Sequence, residues 1–476
     1  MGSVDVVVVG TGVVGMAIAL SAADAGLKVG LVGPGYAVPG AASQAAGAML
    51  GVLGEHTAGQ SSTADLWFRH QSALRWPGWL GTLIERAGMR VALRQGTVVI
   101  ANLDYPADHE NLDAIRAAAA NLDQPVEELD PRQVMGLRPA ARHAPVAALL
   151  CPQEGWVDTT ALLSAMNTAT QTHPRIERLD GTAAQVLVTN GRAVGITLED
   201  GTQLHAGAVI LAADTATDGL LAPLAAHTGP LPKVLAAKGV SLLLDVPEPA
   251  QPPMVVRTPN RDFACGLHLV PNSGGLYLGA TNRFTDPTTT DMPTGATAGE
   301  HHHLLHALLH QFRTDLRTAP LIGARWGYRP ATSDGAPLIG ATALPGLHLA
   351  TGTYRNGILM APAIATLITA ELLGQPAPLP NPYPPTQRPN RPDIPSLLAT
   401  GGAQMISVLT DPHGNMPYDR DHQLANTLSS LLILAISSHT DNNDHHDLRE
   451  RLHAIIDQHP TLEGVCRIFD TWETRT

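Results

Sequence analysis

Six residues near the start of the chain, Gly10-Thr11-Gly12-Val13-Val14-Gly15, have the types and spacing to hold a diphosphate. The first glycine permits a tight turn and the second lets backbone approach a pyrophosphate. The third lets the following helix pack on the preceding strand. The free N–H groups and positive dipole end of that helix would face the phosphates. This chemistry is dinucleotide binding, and the spacing alone does not separate one dinucleotide from another. One rule is broken. The second strand of such a unit normally ends in an acid that holds the ribose hydroxyls, but Leu31-Val32 runs into Gly33-Pro34-Gly35. Either another group holds the ribose or the adenosine end is bound more loosely.

Other chemistry-bearing clusters are weaker. His301-His302-His303 and His445-His446 suggest a metal at first sight. Consecutive residues on a helix point about 100° apart, and no cysteine or carboxylate spacing completes a ligand set. Solvated faces are expected there, and no metal. Cys151, Cys265 and Cys466 form no C-x-x-C pair. So sparse a set fits a reducing cytoplasm better than a disulfide framework.

The elements that must position the loop follow from periodicity. Val4 to Val9 is a β-branched run that reads as a buried parallel strand, Met16 to Ala25 as a helix and Lys28 to Val32 as a second strand. Further helices are expected at Thr63 to Ala87, Thr159 to Thr172, Glu300 to Ala319 and Ile358 to Leu373. Strands are expected at Val91 to Ala101, Val146 to Cys151, Ala183 to Val188, Arg192 to Leu198, Ala208 to Ala213 and Val234 to Leu244. Met254 to Arg257, Gly266 to Pro271, Leu276 to Ala280 and Gly346 to Thr351 complete the strand set. Asn190-Gly191 and Ser273-Gly274-Gly275 mark hairpin turns.

The pattern predicts an α/β chain: a Rossmann-like nucleotide-binding domain (1–87, 159–220 and 328–375) with an inserted antiparallel-sheet substrate domain (88–158 and 221–327). A proline-rich linker or strap over 376–395 leads to a helical C-terminal extension, 396–476. There, Leu448, Leu452, Ile455 and Ile456 share one face, as do Leu424, Leu428, Leu431 and Leu432. The chain has 476 residues, 44% hydrophobic and 15% charged, enough for a large core. Its net charge of −12 opposes a nucleic-acid backbone or an anionic membrane as partner. No signal peptide or spanning run is apparent, so a cytoplasmic location is expected.

Several segments fix the dinucleotide by resemblance. Ala42-Ser43-Gln44-Ala45-Ala46-Gly47-Ala48-Met49-Leu50 resembles the flavin-contacting segment of glycine oxidases, and Gly155-Trp156-Val157-Asp158 their next landmark. His268-Leu269-Val270-Pro271 with Leu278-Gly279-Ala280-Thr281 resembles their hairpin. Trp326-Gly327-Tyr328-Arg329-Pro330 with Asp334-Gly335-Ala336-Pro337 resembles their carboxylate-binding turn. Gly352-Thr353-Tyr354-Arg355-Asn356-Gly357-Ile358 resembles their final flavin loop. These landmarks are collinear over about residues 4–375 and resemble the D-amino-acid oxidase superfamily, in its glycine oxidase branch.

The resemblance implies FAD. It implies cofactor contacts from Gly10 to Gly15, from Ala42, Ser43 and Ala46 to Met49, and from Ala184, Arg329, and Tyr354 to Ile358. It implies oxidation of a small carboxylate-bearing amine. The substrate hydride passes to the flavin, water hydrolyses the imine, and O2 is reduced to H2O2. Arg329 matches the carboxylate-binding position, where a guanidinium grips both oxygens. Arg355 is a second candidate, or else a salt bridge holding the loop. His268 stands where glycine oxidases usually have tyrosine, and Asn282 is a further pocket candidate. These departures point to a substrate other than plain glycine, such as an N-carboxymethyl amine giving glyoxylate. No cysteine matches the tethering position of some sarcosine oxidases, so FAD is expected to be non-covalent. A dehydrogenase passing electrons to a carrier and a non-catalytic flavin-binding scaffold remain alternatives.

Overall fold

The computed structural model describes residues 3–57, 62–102, 106–260, 266–285 and 294–386. The expected C-terminal helices, residues 387–395 of the proline-rich stretch, His445-His446, Cys265 and Cys466 lie outside these residues.

The chain is α/β and carries two sheets. The first is Rossmann-like. Val4–Val9 lies at its centre, parallel to Val29–Val32 on one side and to Gln203–Leu211 on the other. Ile176–Leu179 extends it beyond Val29–Val32, and Leu347–Thr351 extends it beyond Gln203–Leu211. Leu338–Ala341 closes that edge antiparallel. Arg192–Leu198 and Ala183–Thr189 form a hairpin on the end of Gln203–Leu211. Both faces of the central strand are covered, which is why it is a run of valines with no alternation.

Four helices pack in one core over this sheet: Val13–Asp24, Thr63–Ala87, Thr159–Thr172 and Gly357–Leu372. Val13–Asp24 and Gly357–Leu372 are apolar nearly all round, as befits helices buried among neighbours. Alanines at 17, 19 and 22 and at 361, 363 and 365 keep them slim. Pro362 removes a donor from the first turns of Gly357–Leu372. One residue on, the Leu359 carbonyl accepts from Ser72 Oγ at 2.7 Å and Trp76 Nε1 at 2.9 Å, while Ala363 N donates to Ser72 Oγ at 3.4 Å. That junction fixes where the preceding loop, 352–356, points.

The second sheet is mostly antiparallel. Its order is Gly40–Ala41, Leu321–Thr332, Val234–Leu244, Gly275–Gly279, His268–Asn272, Val255–Arg257, Leu93–Asn102, Pro145–Val157 and Met49–Leu50. The long pair Leu321–Thr332 and Val234–Leu244 sets Arg329 opposite Ala237 and Gly327 opposite Gly239. The hairpin turn at 273–275 forms as expected.

Three expectations are corrected, and one helix is added. The segment 300–319 is not one helix: α-helix runs over Ala298–Ala307, a π turn over Leu308–Phe312 and a 3-10 turn over Thr314–Thr318. Tertiary hydrogen bonds win there, with Arg138 N donating to Phe312 O at 2.7 Å and Thr314 N to Arg138 O at 2.9 Å. Trp326 to Pro330 is strand, and the turn lies just after it, at 333–336. Pro145–Val157 is much longer than the expected strand at 146–151. A helix at Pro106–Asn121 was not expected at all.

The described part of the proline-rich stretch is a strap. Leu379 and Tyr383 are buried in the main core. Tyr383 sits edge-on to Phe68 at 5.3 Å, and its hydroxyl bonds Asp65. No helix of the described residues is long and apolar enough to cross a membrane.

Candidate active site

A cavity of about 390 Å³ runs between the two sheets. One end is the glycine loop. Gly10 has φ +127°, and a Cβ there would sit 2.1 Å from Ala212 O. A Cβ on Gly15 would sit 1.9 Å from Gly10 O. Those two glycines are required by the protein's own backbone. Gly12 differs. Its nearest protein neighbour would be Ser43 Oγ at 3.5 Å, and it faces the cavity. The space above Gly12 is therefore free of protein, a cradle that a ligand fills and a larger side chain would block. Gly12 caps the helix with no side-chain hydrogen bond, and the first turn carries no acid. Val13 N leans on Ser43 Oγ at 3.2 Å. Amides at a helix start, a cradle bare of side chains and an elongated cavity fit the pyrophosphate and flanks of FAD.

The residue closing the second strand also has a reason. A Cβ on Gly33 would lie 2.6 Å from Thr11 Oγ1, whose hydroxyl donates to Gly35 O at 2.8 Å. An acid there would displace Thr11, so the loop and Gly33 were chosen together.

At this end lies Asp214, in the left-handed region at φ +58°. Its Oδ1 is buried without a hydrogen-bond partner. Burial pushes its carboxyl up to about 7, against backbone N–H groups of Thr215 and Ala42 that favour the anion. A carboxyl raised above its ordinary 3.8 binds its proton more tightly when folded. The stability it contributes is complete below pH 3.8 and declines as pH rises to about 7. Asp214→Asn keeps a residue tolerant of positive φ and removes the titration. The expected result is a higher melting temperature than wild type near pH 8, with the difference shrinking toward pH 4. A difference independent of pH would contradict the assignment.

The other end of the cavity holds the ionisable groups. Arg329 Nη1 donates to Thr281 O and to Asn282 Oδ1, each at 3.2 Å. The guanidinium lies over Gly239, where a Cβ would be only 2.2 Å from Nη2. Gly239 is thus what lets the arginine reach the cavity. His268 is buried, bonded through Nδ1 to Gly266 O at 2.7 Å and stacked on Tyr277 at 5.8 Å. Burial, then the charge of Arg257, pushes its imidazole down to about 3, so it is neutral. Tyr277 donates to Ala45 O at 2.9 Å, tying the hairpin to the segment 42–49.

Glu55 also faces the cavity. Burial opposes its charge, but Arg257 and Arg355 hold its carboxyl down at about 2. Arg257 Nη1 is 2.5 Å from Oε1, and Arg355 Nε is 3.1 Å from Oε2. Arg257 is fully buried and donates to Asn260 Oδ1 at 2.9 Å and Thr258 O at 3.1 Å. Glu154 sets the turn that carries Glu55. One buried oxygen accepts from the backbone N–H groups of Val52, Leu53 and Gly54.

Most residues singled out from the sequence line this one cavity. They are Gly10 to Val14, Ala42, Ser43, Ala46 to Met49, His268, Arg329 and Tyr354 to Ile358. Three do not. Gly15 packs under the loop. Ala184 is exposed on its strand, and its neighbour Ala183 lines the cavity in its place, because side chains alternate along a strand. Asn282 stands behind Arg329 and steadies it. Arg355 proves to be both a cavity residue and a salt bridge. His301 and His303 are half-buried and His302 exposed, and among the described residues no group of three or more potential ligands could hold a metal. Glu55, Arg257, Asp214, Gly239 and Tyr277 also belong to the site, and none stands at a singled-out position of a sequence motif. Only Asp214, an acid three residues beyond the apolar strand Gln203–Leu211, carries a local signal.

Comparison with known proteins gives a consistent picture. The family model described as FAD dependent oxidoreductase (DAO) matches residues 5–371. Glycine oxidase of Geobacillus kaustophilus is 30% identical over 382 residues, covering 78% of this chain and 92% of that protein. The bifunctional protein ThiO/ThiG of Trichormus variabilis is 28% identical over 373 residues, and the chain spans 53% of its length. The crystal structure of glycine oxidase from Geobacillus kaustophilus superposes with a TM-score of 0.71 at 25% identity, covering 82% of this chain and 100% of that one.

Proposed function

The chain belongs to the FAD dependent oxidoreductase family, in the branch that holds the glycine oxidases, and from that premise we propose that it oxidises the C–N bond of a small carboxylate-bearing amine. The observation that carries this reading is Arg329: a guanidinium anchored at one nitrogen, set over Gly239, on the wall of the cavity that begins at the glycine loop. The glycine loop, the segment 42–49 and the loop 353–358 would hold FAD, without a covalent link. The bound flavin supplies the two-electron acceptor and the route to O2.

The chain's own residues do the positioning. Arg329 fixes the substrate carboxylate and so sets the Cα–H at one place in the cavity. Neutral His268 presents a hydrogen-bonding edge without repelling a cation or accepting the reaction's proton. Buried Tyr277, Ala280 and Tyr328 exclude water from the reacting carbon.

We favour an N-substituted, N-carboxymethyl amine as substrate. The balance is then R–NH–CH2–COO⁻ + O2 + H2O giving R–NH2, glyoxylate and H2O2. The bond broken in the oxidation is Cα–H, and hydrolysis of the imine cleaves C–N. We place the protein in the cytoplasm, on its sparse cysteines. The test is stoichiometry in air: one H2O2 and one glyoxylate per amine consumed. Turnover only with an added artificial acceptor, without peroxide, would make the protein a dehydrogenase that passes electrons to a carrier.

A further inference from the structure

Four neighbouring strands of the second sheet run in the order Leu321–Thr332, Val234–Leu244, Gly275–Gly279 and His268–Asn272. Arg329 stands on the first and His268 on the fourth. Each of the two strands between them contributes a glycine. Arg329 lies over Gly239, where a Cβ would be 2.2 Å from Nη2. His268 lies over Gly279, its partner in the register, where a Cβ would be 2.3 Å from Nε2. Both side chains therefore lie across a bare strand. They reach toward each other from opposite sides of one stretch of cavity wall. A side chain at 239 or 279 would turn them away.

The tautomer of His268 is fixed by its own hydrogen bond. Gly266 O can only accept, so Nδ1 carries the proton, which it donates across 2.7 Å. Burial, then the charge of Arg257, keeps the ring neutral. Nε2 is therefore a lone-pair acceptor. No described residue donates to it. Tyr277, stacked on the ring at 5.8 Å, donates its hydroxyl to Ala45 O at 2.9 Å. Glu55, another acceptor facing this cavity, is paired on Oε1 with Arg257 and on Oε2 with Arg355. An acceptor left bare in a buried wall is destabilising unless a ligand donates to it.

We infer that Nε2 of His268 accepts a hydrogen bond from the N–H of the substrate amine while Arg329 holds its carboxylate, so that the site takes primary and secondary amines and rejects those whose neutral nitrogen carries no hydrogen. The N–H bond survives the oxidation. The nitrogen lone pair becomes the second bond of the imine as the Cα–H leaves as hydride to the flavin. Holding the N–H leaves that lone pair free and fixes the Cα–H from a second side. This inference rests on the carboxylated-amine reading above and narrows it. An N-carboxymethyl amine with one further substituent offers the single N–H that the site requires.

The test uses the FAD-loaded protein and two carboxylates in which oxygen replaces the amine nitrogen. Glycolate has a hydroxyl that can donate to Nε2, whereas the ether oxygen of methoxyacetate can only accept. Binding is read from the perturbation of the flavin spectrum, as the Kd for methoxyacetate divided by the Kd for glycolate. His268→Phe keeps a flat ring and removes the acceptor. It should lower that ratio about 5-fold or more by weakening glycolate, the effect of one hydrogen bond at a buried acceptor. His268→Gln, whose amide oxygen can accept, should bind glycolate within about 3-fold of wild type, which separates the acceptor from the packing of the ring. In wild type, sarcosine should bleach the flavin about 10-fold faster or more than N,N-dimethylglycine, which keeps the inference testable if His268→Phe does not fold. A ratio unchanged in His268→Phe, a His268→Gln that loses glycolate as His268→Phe does, or equal bleaching by the two amines would overturn the inference and leave the function above standing. A wild-type preference for methoxyacetate that His268→Phe abolishes would overturn it too, since Nε2 would then be the donor. If neither carboxylate perturbs the flavin, the carboxylated-amine reading itself falls and this inference with it.

Discussion

Replacing Arg329 with alanine should raise KM for the amine about 100-fold or more while the purified protein stays yellow. A carboxylate gripped by two charge-assisted N–H groups is worth roughly 1.5–3 kcal/mol per contact, and about 1.4 kcal/mol is a factor of ten. The contact holds the substrate equally in the ground and transition states, so KM should move more than kcat. Arg329→Lys keeps the charge and loses the planar fork, and should fall between wild type and alanine. The neighbouring geometry sharpens the expectation. Nη1 is already engaged by Thr281 and Asn282, so the rest of the fork is held rigidly toward the cavity. Unchanged kinetics in Arg329→Ala would remove the carboxylate role.

The second large effect separates two glycines of one motif. Gly12→Val should yield a folded protein that purifies colourless. Gly15→Val should yield little folded protein at all. A Cβ on Gly12 has no protein atom nearer than 3.5 Å, so its side chain would occupy only the cradle that the pyrophosphate needs. A Cβ on Gly15 meets Gly10 O at 1.9 Å, a backbone atom that cannot yield without separating helix from strand. Circular dichroism and bound-FAD absorbance measure the two outcomes independently. A yellow Gly12→Val, or a folded and colourless Gly15→Val, would contradict the division of labour.

The parts of the fold that could be read in the sequence are those whose signals are local. Thr63–Ala87 and Thr159–Thr172 have caps and a periodic apolar face, and both appear with the bounds their sequence implies. The long strand Val234–Leu244 is apolar along most of its length, and it too appears with the bounds its sequence implies. What was hidden depends on partners far along the chain. Residues 308–318 break from helix because Arg138, some 175 residues earlier, captures their backbone. Leu321–Thr332 contains glycine, proline and two arginines, and it is strand because Val234–Leu244 pairs with it along its whole length.

The same division holds in the cavity. Gly10 to Gly15 and Arg329 stand in motifs, whereas Glu55 lies in a short irregular turn whose two cations are 202 and 300 residues away. No spacing rule links such residues. In sequence Gly239 is an ordinary glycine within a strand; in the fold Arg329 occupies the place of its side chain.

The central claim is that this cavity holds FAD and reduces it with a carboxylated amine. Anaerobic mixing of the purified yellow protein with glycine, sarcosine, D-amino acids and iminodiacetate tests it most directly, with the flavin absorbance followed near 450 nm. The account predicts bleaching by amines that carry a carboxylate one carbon from nitrogen, and none by the same amines with that carboxylate amidated. A flavin that keeps its colour with all of them, or bleaches equally with the amidated forms, would contradict it.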